Sequence, residues 1–155
     1  MEQLKTGLTS IPVLLAALIL AAGLFGAPSS AFAERLAISV DVANVRSGPG
    51  TDHQVLWRME RYTPIRAVST HGDWIFFEDF ERTNGWMHTD LVDDTPTVIT
   101  KNDICNIRSS PGTDQEVLFQ AEKGVPFRVT GRSGAWIEIE HADGDTGWIH
   151  ENMVW

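Results

Sequence analysis

After residue 33, apolar and polar residues alternate in short runs that are separated by turn residues. Alternation with a period of two is typical of strands with one buried face, and no stretch there keeps the 3.6-residue period of an amphipathic helix. Close, regular turns are typical of a small all-β barrel or sandwich. Thr89–Val92 is too short for a strand and is expected to close as a helical turn. The first half of this region predicts five strands: Leu36–Arg46, Val55–Met59, Pro64–Ser69, Trp74–Asp79 and Gly85–His88. The second half predicts five more: Val98–Arg108, Glu116–Ala121, Val125–Thr130, Ala135–His141 and Thr146–His150.

The two halves are copies of one sequence. Asn44–Asp52 and Asn106–Asp114 are identical at seven of nine positions and lie 62 residues apart. At the same offset, Val42–Val92 aligns with Ile104–Val154 without a gap and with 20 identities in 51 positions. Self-similarity at a fixed offset indicates a duplicated structural unit. Any function is therefore expected to be one that two copies can serve.

The N-terminus predicts export. The apolar run Ile11–Phe25 carries no charge and is followed by an Ala-x-Ala cleavage site that ends at Ala33, so residues 1–33 are interpreted as a signal peptide. An uncleaved anchor is the alternative, although the run is shorter than the ~20 apolar residues that a membrane span needs. We expect a secreted or periplasmic protein with no membrane span after cleavage. The remaining segments are a first domain at 34–93, a linker at 94–96 and a second domain at 97–155.

Net charge narrows the range of partners. The chain carries a formal net charge of −9, and its acidic residues are not gathered in long blocks. Nucleic acids and anionic lipids select basic surfaces, so an acidic surface argues against both. For the same reason anionic wall polymers are disfavoured as the main ligand.

Cys105 is the one cysteine of the chain, so it cannot form an intramolecular disulfide. It lies two residues before Ile107 on a predicted strand and should therefore point toward the same apolar side. A buried small apolar side chain is the first interpretation. A disulfide-linked dimer or a reactive thiol is the alternative, because an odd cysteine in an exported protein can pair between molecules.

Four motifs occur in the same order in both copies: Asn-Val/Ile-Arg-Ser-x-Pro-Gly, Val-Leu, Gly-x-Trp-Ile and Gly-Trp-Met/Ile-His. Together they resemble the bacterial SH3-like (SH3b) domain, and the resemblance covers Leu36–Val92 and Val98–Val154. It implies an all-β fold of two small five-stranded, half-open barrels in tandem. It also implies an extracytoplasmic module that binds peptidoglycan or its stem peptides. No cofactor is expected.

The predicted fourth strand supplies the main site candidates. Its aliphatic residues recur in both copies and are expected to face the core, which places Trp74 and Trp136 on the outer face. Each tryptophan either lies under its own first loop or forms a shallow groove, in which extended peptides dock or sugars stack. Copy one is the preferred binder, because Phe76 and Tyr62 add aromatic rings that copy two lacks.

Arg46 and Arg108 alternate with buried neighbours and should face outward. Each is expected either to hold carbonyl groups of the loop that follows or to meet an acidic group of a ligand. The predicted ligand-binding residues are Trp74, Phe76, Arg46, Tyr62, Trp136 and Arg108.

No catalytic or metal site is expected. Only His88 and His150 recur among the five histidines, and a capping or surface role is favoured over a metal or catalytic one. A Cys–His enzyme needs a thiol held beside a histidine, whereas Cys105 is expected to face the core. The segment Ala142–Asp145 predicts a hairpin turn rather than a calcium loop, which needs more oxygen ligands.

The expected partner is a wall peptide or glycan. The alternative is an envelope protein, which the chain would hold as an adaptor or sensor accessory. The oligomeric state is left open.

Overall fold

The computed structural model describes residues 34–155; the predicted signal segment at 1–33 lies outside the described residues. Within that range the chain is all-β, and none of its helical segments could span a membrane. Two three-residue 3-10 turns occur, at Thr89–Leu91 and Glu151–Met153, and the first confirms the helical turn predicted after the fifth strand. The strands of the first half are β1 Arg35–Ile38, β2 Val42–Arg46, β3 Val55–Glu60, β4 Pro64–His71, β5 Trp74–Glu78, β6 Asn84–His88 and β7 Val92–Asp93. Those of the second half are β8 Thr97–Ile99, β9 Ile104–Arg108, β10 Val117–Glu122, β11 Pro126–Ser133, β12 Trp136–Glu140 and β13 Thr146–His150.

Each half forms one antiparallel sheet, and the two sheets share the same order over six strands, to which the first adds β7 at its edge. The first runs β3-β2-β6-β5-β4-β1-β7 and the second runs β10-β9-β13-β12-β11-β8. Each sheet encloses its own core of buried side chains. This arrangement confirms the predicted all-β fold of two small SH3-like barrels in tandem.

The predicted first strand is divided in both copies. Leu36–Arg46 splits into β1 and β2, and Val98–Arg108 splits into β8 and β9. The reason is that the two parts pair with different neighbours: β1 pairs with β4, whereas β2 pairs with β3 and β6. Ala37 and Ile38 are consecutive and both fully buried, so the alternation is interrupted before the break. The other predicted strands are confirmed to within three residues at each end.

Alternation fills the two cores with equivalent residues. Ile75 and Ile137 are 4% and 2% exposed, which confirms that the aliphatic positions of the fourth strand face inward. The largest fully buried side chains are Phe77 in the first barrel and Phe127 in the second. Burying side chains of this size contributes about 1.5–3 kcal/mol each to folding.

Cys105 lies in the second core, and it is a free and fully buried thiol. Burial raises its pKa, which keeps the thiol protonated and poorly nucleophilic. In the register of the sheets, Cys105 lies opposite Ala121, and the matching pair in the first barrel is Ala43 opposite Met59. The second barrel therefore places two small residues where the first has a small and a large one.

Candidate functional site

Trp74 and Trp136 begin β5 and β12 and lie half-buried on the outer face of their barrels. Each is directly opposite a histidine of the neighbouring strand. The rings of Trp74 and His88 have centroids 5.3 Å apart at an interplanar angle of 87°, and those of Trp136 and His150 are 5.2 Å apart at 88°. Such edge-to-face pairs are favourable beyond their buried area. We call these two pairs and the surface around them the Trp–His face.

The histidines also cap the 3-10 turns that follow. Nδ1 of His88 accepts the backbone N–H of Asp90 at 3.3 Å, and Nδ1 of His150 accepts that of Asn152 at 3.3 Å. A neutral imidazole that accepts at Nδ1 carries its proton on Nε2, so the hydrogen bond fixes the orientation of each ring. The predicted capping role is confirmed. The sequence analysis missed that the same histidines stand against the tryptophans.

In the second barrel the Trp–His face opens into a groove of about 280 Å³. Trp136 and Arg108, which the sequence assigned to a site, both line it. The sequence analysis did not identify the remaining lining residues: Asn106, Thr113, His150, Asn152 and Met153. These side chains supply hydrogen-bonding groups around one aromatic wall, which suits a small polar ligand with an apolar face.

The two arginines hold their loops, as one of the two sequence interpretations proposed. Nη1 of Arg46 donates to the carbonyl oxygens of Thr51 at 2.9 Å and His53 at 2.8 Å. Nη1 of Arg108 donates to the carbonyl oxygen of Gln115 at 2.7 Å. A guanidinium has five N–H donors, so loop clamping leaves donors on both arginines.

Phe76 extends the aromatic surface of the first barrel. It lies two residues after Trp74 on the same face of β5, and its ring centroid is 5.2 Å from that of Trp86. The equivalent position in the second barrel is Glu138, which lies opposite Trp148. The first barrel, which the sequence favoured as the binder, thus has the larger aromatic surface. The groove of about 280 Å³, however, lies in the second barrel.

Tyr62 lies apart from the other predicted site residues. It stands in the turn before β4, whereas Trp74 follows the far end of that eight-residue strand. The guanidinium carbons of Arg61 and Arg128 are each 6.0 Å from its ring centroid, and Arg128 belongs to the second barrel. The structure therefore places Tyr62 at the junction of the barrels and does not bring it together with Trp74.

A second kind of cleft recurs in both barrels and was missed by the sequence analysis. It lies between the outer strand β3, or β10, and the hairpin turn that follows β5, or β12. The first example measures about 430 Å³ and also touches the second barrel, and the other measures about 320 Å³. A half-buried aromatic residue lines each, Trp57 in the first and Phe119 in the second. The sequence signal for these clefts was that residues 57 and 119, which lie 62 positions apart, are both aromatic.

Groups of three or more His, Cys, Asp or Glu side chains that could hold a metal ion do not occur in the part of the chain that the structure describes. The acidic turn of the second barrel is closed by local contacts instead. Nδ1 of His141 lies 2.7 Å from Oδ1 of Asp143, and that oxygen accepts the backbone N–H of Asp145 at 3.2 Å. The hydrogen bond from His141 lowers the pKa of the Asp143 carboxyl.

Two antiparallel barrels that share the same order of six strands, each carrying a Trp–His pair, define a tandem SH3-like module. The sequence model described as "Bacterial SH3 domain" matches residues 39–94 and again residues 101–155. The chain belongs to the bacterial SH3 domain family.

Curated relatives are similar over part of their length. A protein described as "Putative N-acetylmuramoyl-L-alanine amidase YrvJ" from Bacillus subtilis is 26% identical over 155 residues, which is 92% of this chain and 30% of that protein. "Probable cell wall amidase LytH" from Staphylococcus epidermidis is 32% identical over 71 residues, which is 43% of this chain and 24% of that protein. The chain thus spans less than a third of the length of either relative.

Solved structures give weaker similarities. An NlpC/P60 family protein from Bacillus cereus matches with 11% identity and a TM-score of 0.37, covering 78% of this chain and 55% of the other. NlpC2 from Trichomonas vaginalis matches with 9% identity and a TM-score of 0.35, covering 79% and 47% respectively. At these values neither structure bears on the function of this chain.

Proposed function

We propose that the protein is a non-catalytic binding module of the cell envelope that attaches to peptidoglycan or its stem peptides through the Trp–His face. The observation that carries the proposal is the recurrence of one outward tryptophan, packed edge to face with a turn-capping histidine, at the same place in both barrels.

The chemistry of the face fits a wall fragment. The half-buried indole of Trp136 offers a surface on which a sugar ring or an extended peptide can stack, and the amides of Asn106 and Asn152 lie beside it. The remaining donors of Arg108 can meet a carboxylate of a stem peptide. Because the protein is acidic, stacking and directed hydrogen bonds have to supply the affinity rather than attraction between opposite net charges.

The relatives support the same setting. YrvJ and LytH are described as amidases, LytH specifically as a cell wall amidase, and the family model matches both barrels of this chain. We place the protein outside the cytoplasm, secreted or periplasmic, with residues 1–33 as its signal peptide. The binding domains are then 34–93 and 97–155, joined at 94–96.

Sedimentation with purified, insoluble peptidoglycan tests the proposal. We expect the protein to be retained, and Trp136→Ala to weaken retention about tenfold, which corresponds to about 1.4 kcal/mol. Trp74→Ala and the double variant measure the share of the first barrel. Tyr62→Ala removes an aromatic ring at the barrel junction and is expected to bind as the unaltered protein does.

Two outcomes contradict the proposal. Absence of retention at high protein concentration would favour the adaptor function, in which the same face holds another envelope protein. Release of soluble muropeptides during the incubation would show catalysis, and we expect none.

A further inference from the structure

The larger recurrent cleft lies between the two barrels, and we call it the inter-barrel cleft. Its volume is about 430 Å³. The first barrel contributes Trp57, Glu60, Asp79 and Phe80 among its lining residues. The second barrel closes the other side with Ile99, Gly124 and Pro126. This cleft is on a different surface from the Trp–His face, whose groove is lined by other residues.

Contacts across the junction fix the walls of the cleft. Nζ of Lys123 pairs with Oε1 of Glu81 at 2.6 Å and lies 5.8 Å from the ring centroid of Phe80. The Phe80 ring also reaches Gly124, where an added Cβ would lie 3.8 Å from its Cζ atom. Gly124 has φ +89°, a conformation that a residue with a side chain adopts only at a cost. The two barrels therefore form one cleft together.

Asp79 is the distinctive group of this cleft. It is only 8% exposed, and a carboxylate is rarely buried to that extent without full compensation. Its Oδ1 accepts the backbone N–H groups of Glu81 at 2.9 Å and Thr83 at 2.8 Å. Within the described residues no hydrogen bond to Oδ2 is formed. Oδ2 remains accessible to solvent, and Asp79 lines both the inter-barrel cleft and a neighbouring groove. One carboxylate oxygen of Asp79 is thus free to meet a ligand.

The equivalent turn of the second barrel is closed without a carboxylate at the position of Asp79. There the residue is His141, yet its backbone N–H donates to the carbonyl of Asp145 at 2.8 Å, as that of Asp79 donates to Thr83 at 3.0 Å. The carbonyl oxygen of residue 79 or 141 likewise accepts a backbone N–H three residues later in both turns. In the second barrel Asp143 supplies the turn carboxylate, and its Oδ1 accepts the backbone N–H of Asp145. The position of the carboxylate, at residue 79, is therefore what distinguishes the inter-barrel cleft.

We propose that the inter-barrel cleft is a second binding site, which takes a protonated primary amine at the end of an apolar chain, as in a lysine side chain. Asp79 receives the ammonium group, with Glu60 at the rim as a second carboxylate. Trp57 and Phe80 flank the methylene groups, because aromatic rings bind both apolar chains and cations. This site does not depend on the proposed binding of wall fragments to the Trp–His face.

Two of the four cations near this cleft are already paired with carboxylates. Arg58 lines the cleft, and its Nε donates to the side-chain oxygen of Asn44 at 3.3 Å. Arg66 and Arg82 line a neighbouring groove that Asp79 also lines, and Arg66 pairs there with Glu78. Lys123 pairs with Glu81. Of the four cations, Arg66 and Lys123 are thus already matched by carboxylates other than Asp79 and Glu60.

Titration with Nα-acetyl-lysine methylamide, followed by NMR, tests the site. We expect shifts of the Trp57 indole N–H and of the backbone amides of Glu81 and Thr83. Asp79→Asn is expected to weaken binding at least tenfold while it keeps an Oδ1 acceptor for the two amides, so the turn remains folded. Asp143→Asn alters the equivalent turn of the second barrel and is expected to have no effect.

Three results would overturn the inference. They are equal binding of the Nε-acetylated probe, unchanged binding by Asp79→Asn, and no saturable shift of Trp57 with the unaltered protein. Trp136→Ala keeps the two sites separate, since it should weaken peptidoglycan retention about tenfold and leave amine binding intact.

Discussion

Single residues in this protein often have a structural and a binding task at once. Arg46 and Arg108 are the clearest case, because each reaches back from the end of a strand to the loop beyond it. Arg46 holds two carbonyl groups there, and Arg108 holds one. The histidines of the Trp–His face have a similar double task, since each caps a turn and supports a tryptophan.

Removing the guanidinium of Arg46 is expected to loosen the loop. Arg46→Ala leaves the carbonyl groups of Thr51 and His53 without their partner, and we expect the free energy of unfolding to fall by about 1–3 kcal/mol. Urea denaturation measures the change. Arg58→Ala is the matched control, because Arg58 makes only a 3.3 Å contact with Asn44 at the surface, and it should cost less than about 0.5 kcal/mol. Equal losses in the two variants would contradict the clamp.

Strands and turns were predicted well where one rule governs them. Period-two alternation correctly separated Ile75 from Trp74, and it failed at Ala37–Ile38, where two consecutive residues are buried before the chain changes partners. Grouping Tyr62 with Trp74 failed because the sequence does not show that the length of β4 separates them. The inter-barrel cleft joins segments distant in sequence, so periodicity could not predict it.

In the two cores, the sizes of paired residues on neighbouring strands differ. Ala43 faces Met59 across β2 and β3, whereas Cys105 faces Ala121 across β9 and β10. Ala121→Met alone is expected to overpack the second core and cost about 1–3 kcal/mol. Adding Cys105→Ala should recover most of that loss, because it recreates the pair of the first barrel. A double-mutant cycle of unfolding free energies measures the coupling, and additive effects would refute it.

At the scale of the whole molecule, a few side-chain contacts join two barrels that are each small for an independently stable domain. The guanidinium carbon of Arg35 lies 4.1 Å from the ring centroid of Trp155, so the first described strand touches the last residue of the chain. Partial burial lowers the pKa of Arg35, because the guanidinium loses some of its contact with water. Domains of about 60 residues bury a limited fraction of their surface, which makes such contacts important for cooperative unfolding.

Breaking this contact is expected to uncouple the barrels. We expect the unaltered protein to show one calorimetric unfolding transition, and Arg35→Ala to broaden or divide it, because a cation–π contact contributes about 0.5–2 kcal/mol. Arg132→Ala, on β11, is the control and should keep a single transition. A single sharp transition in both variants would show that the barrels are coupled by other contacts.

The absence of any gap between the copies gives each side chain of one barrel a counterpart 62 positions away. Side chains can consequently be exchanged between equivalent positions of one molecule. Exchanging Asp79 and His141 would move the carboxylate from the first barrel to the second and leave composition and chain length unchanged. Each barrel can therefore serve as an internal control for the other. A difference in behaviour between the two barrels then reports on their side chains and on the contacts that the first cleft makes with the second barrel.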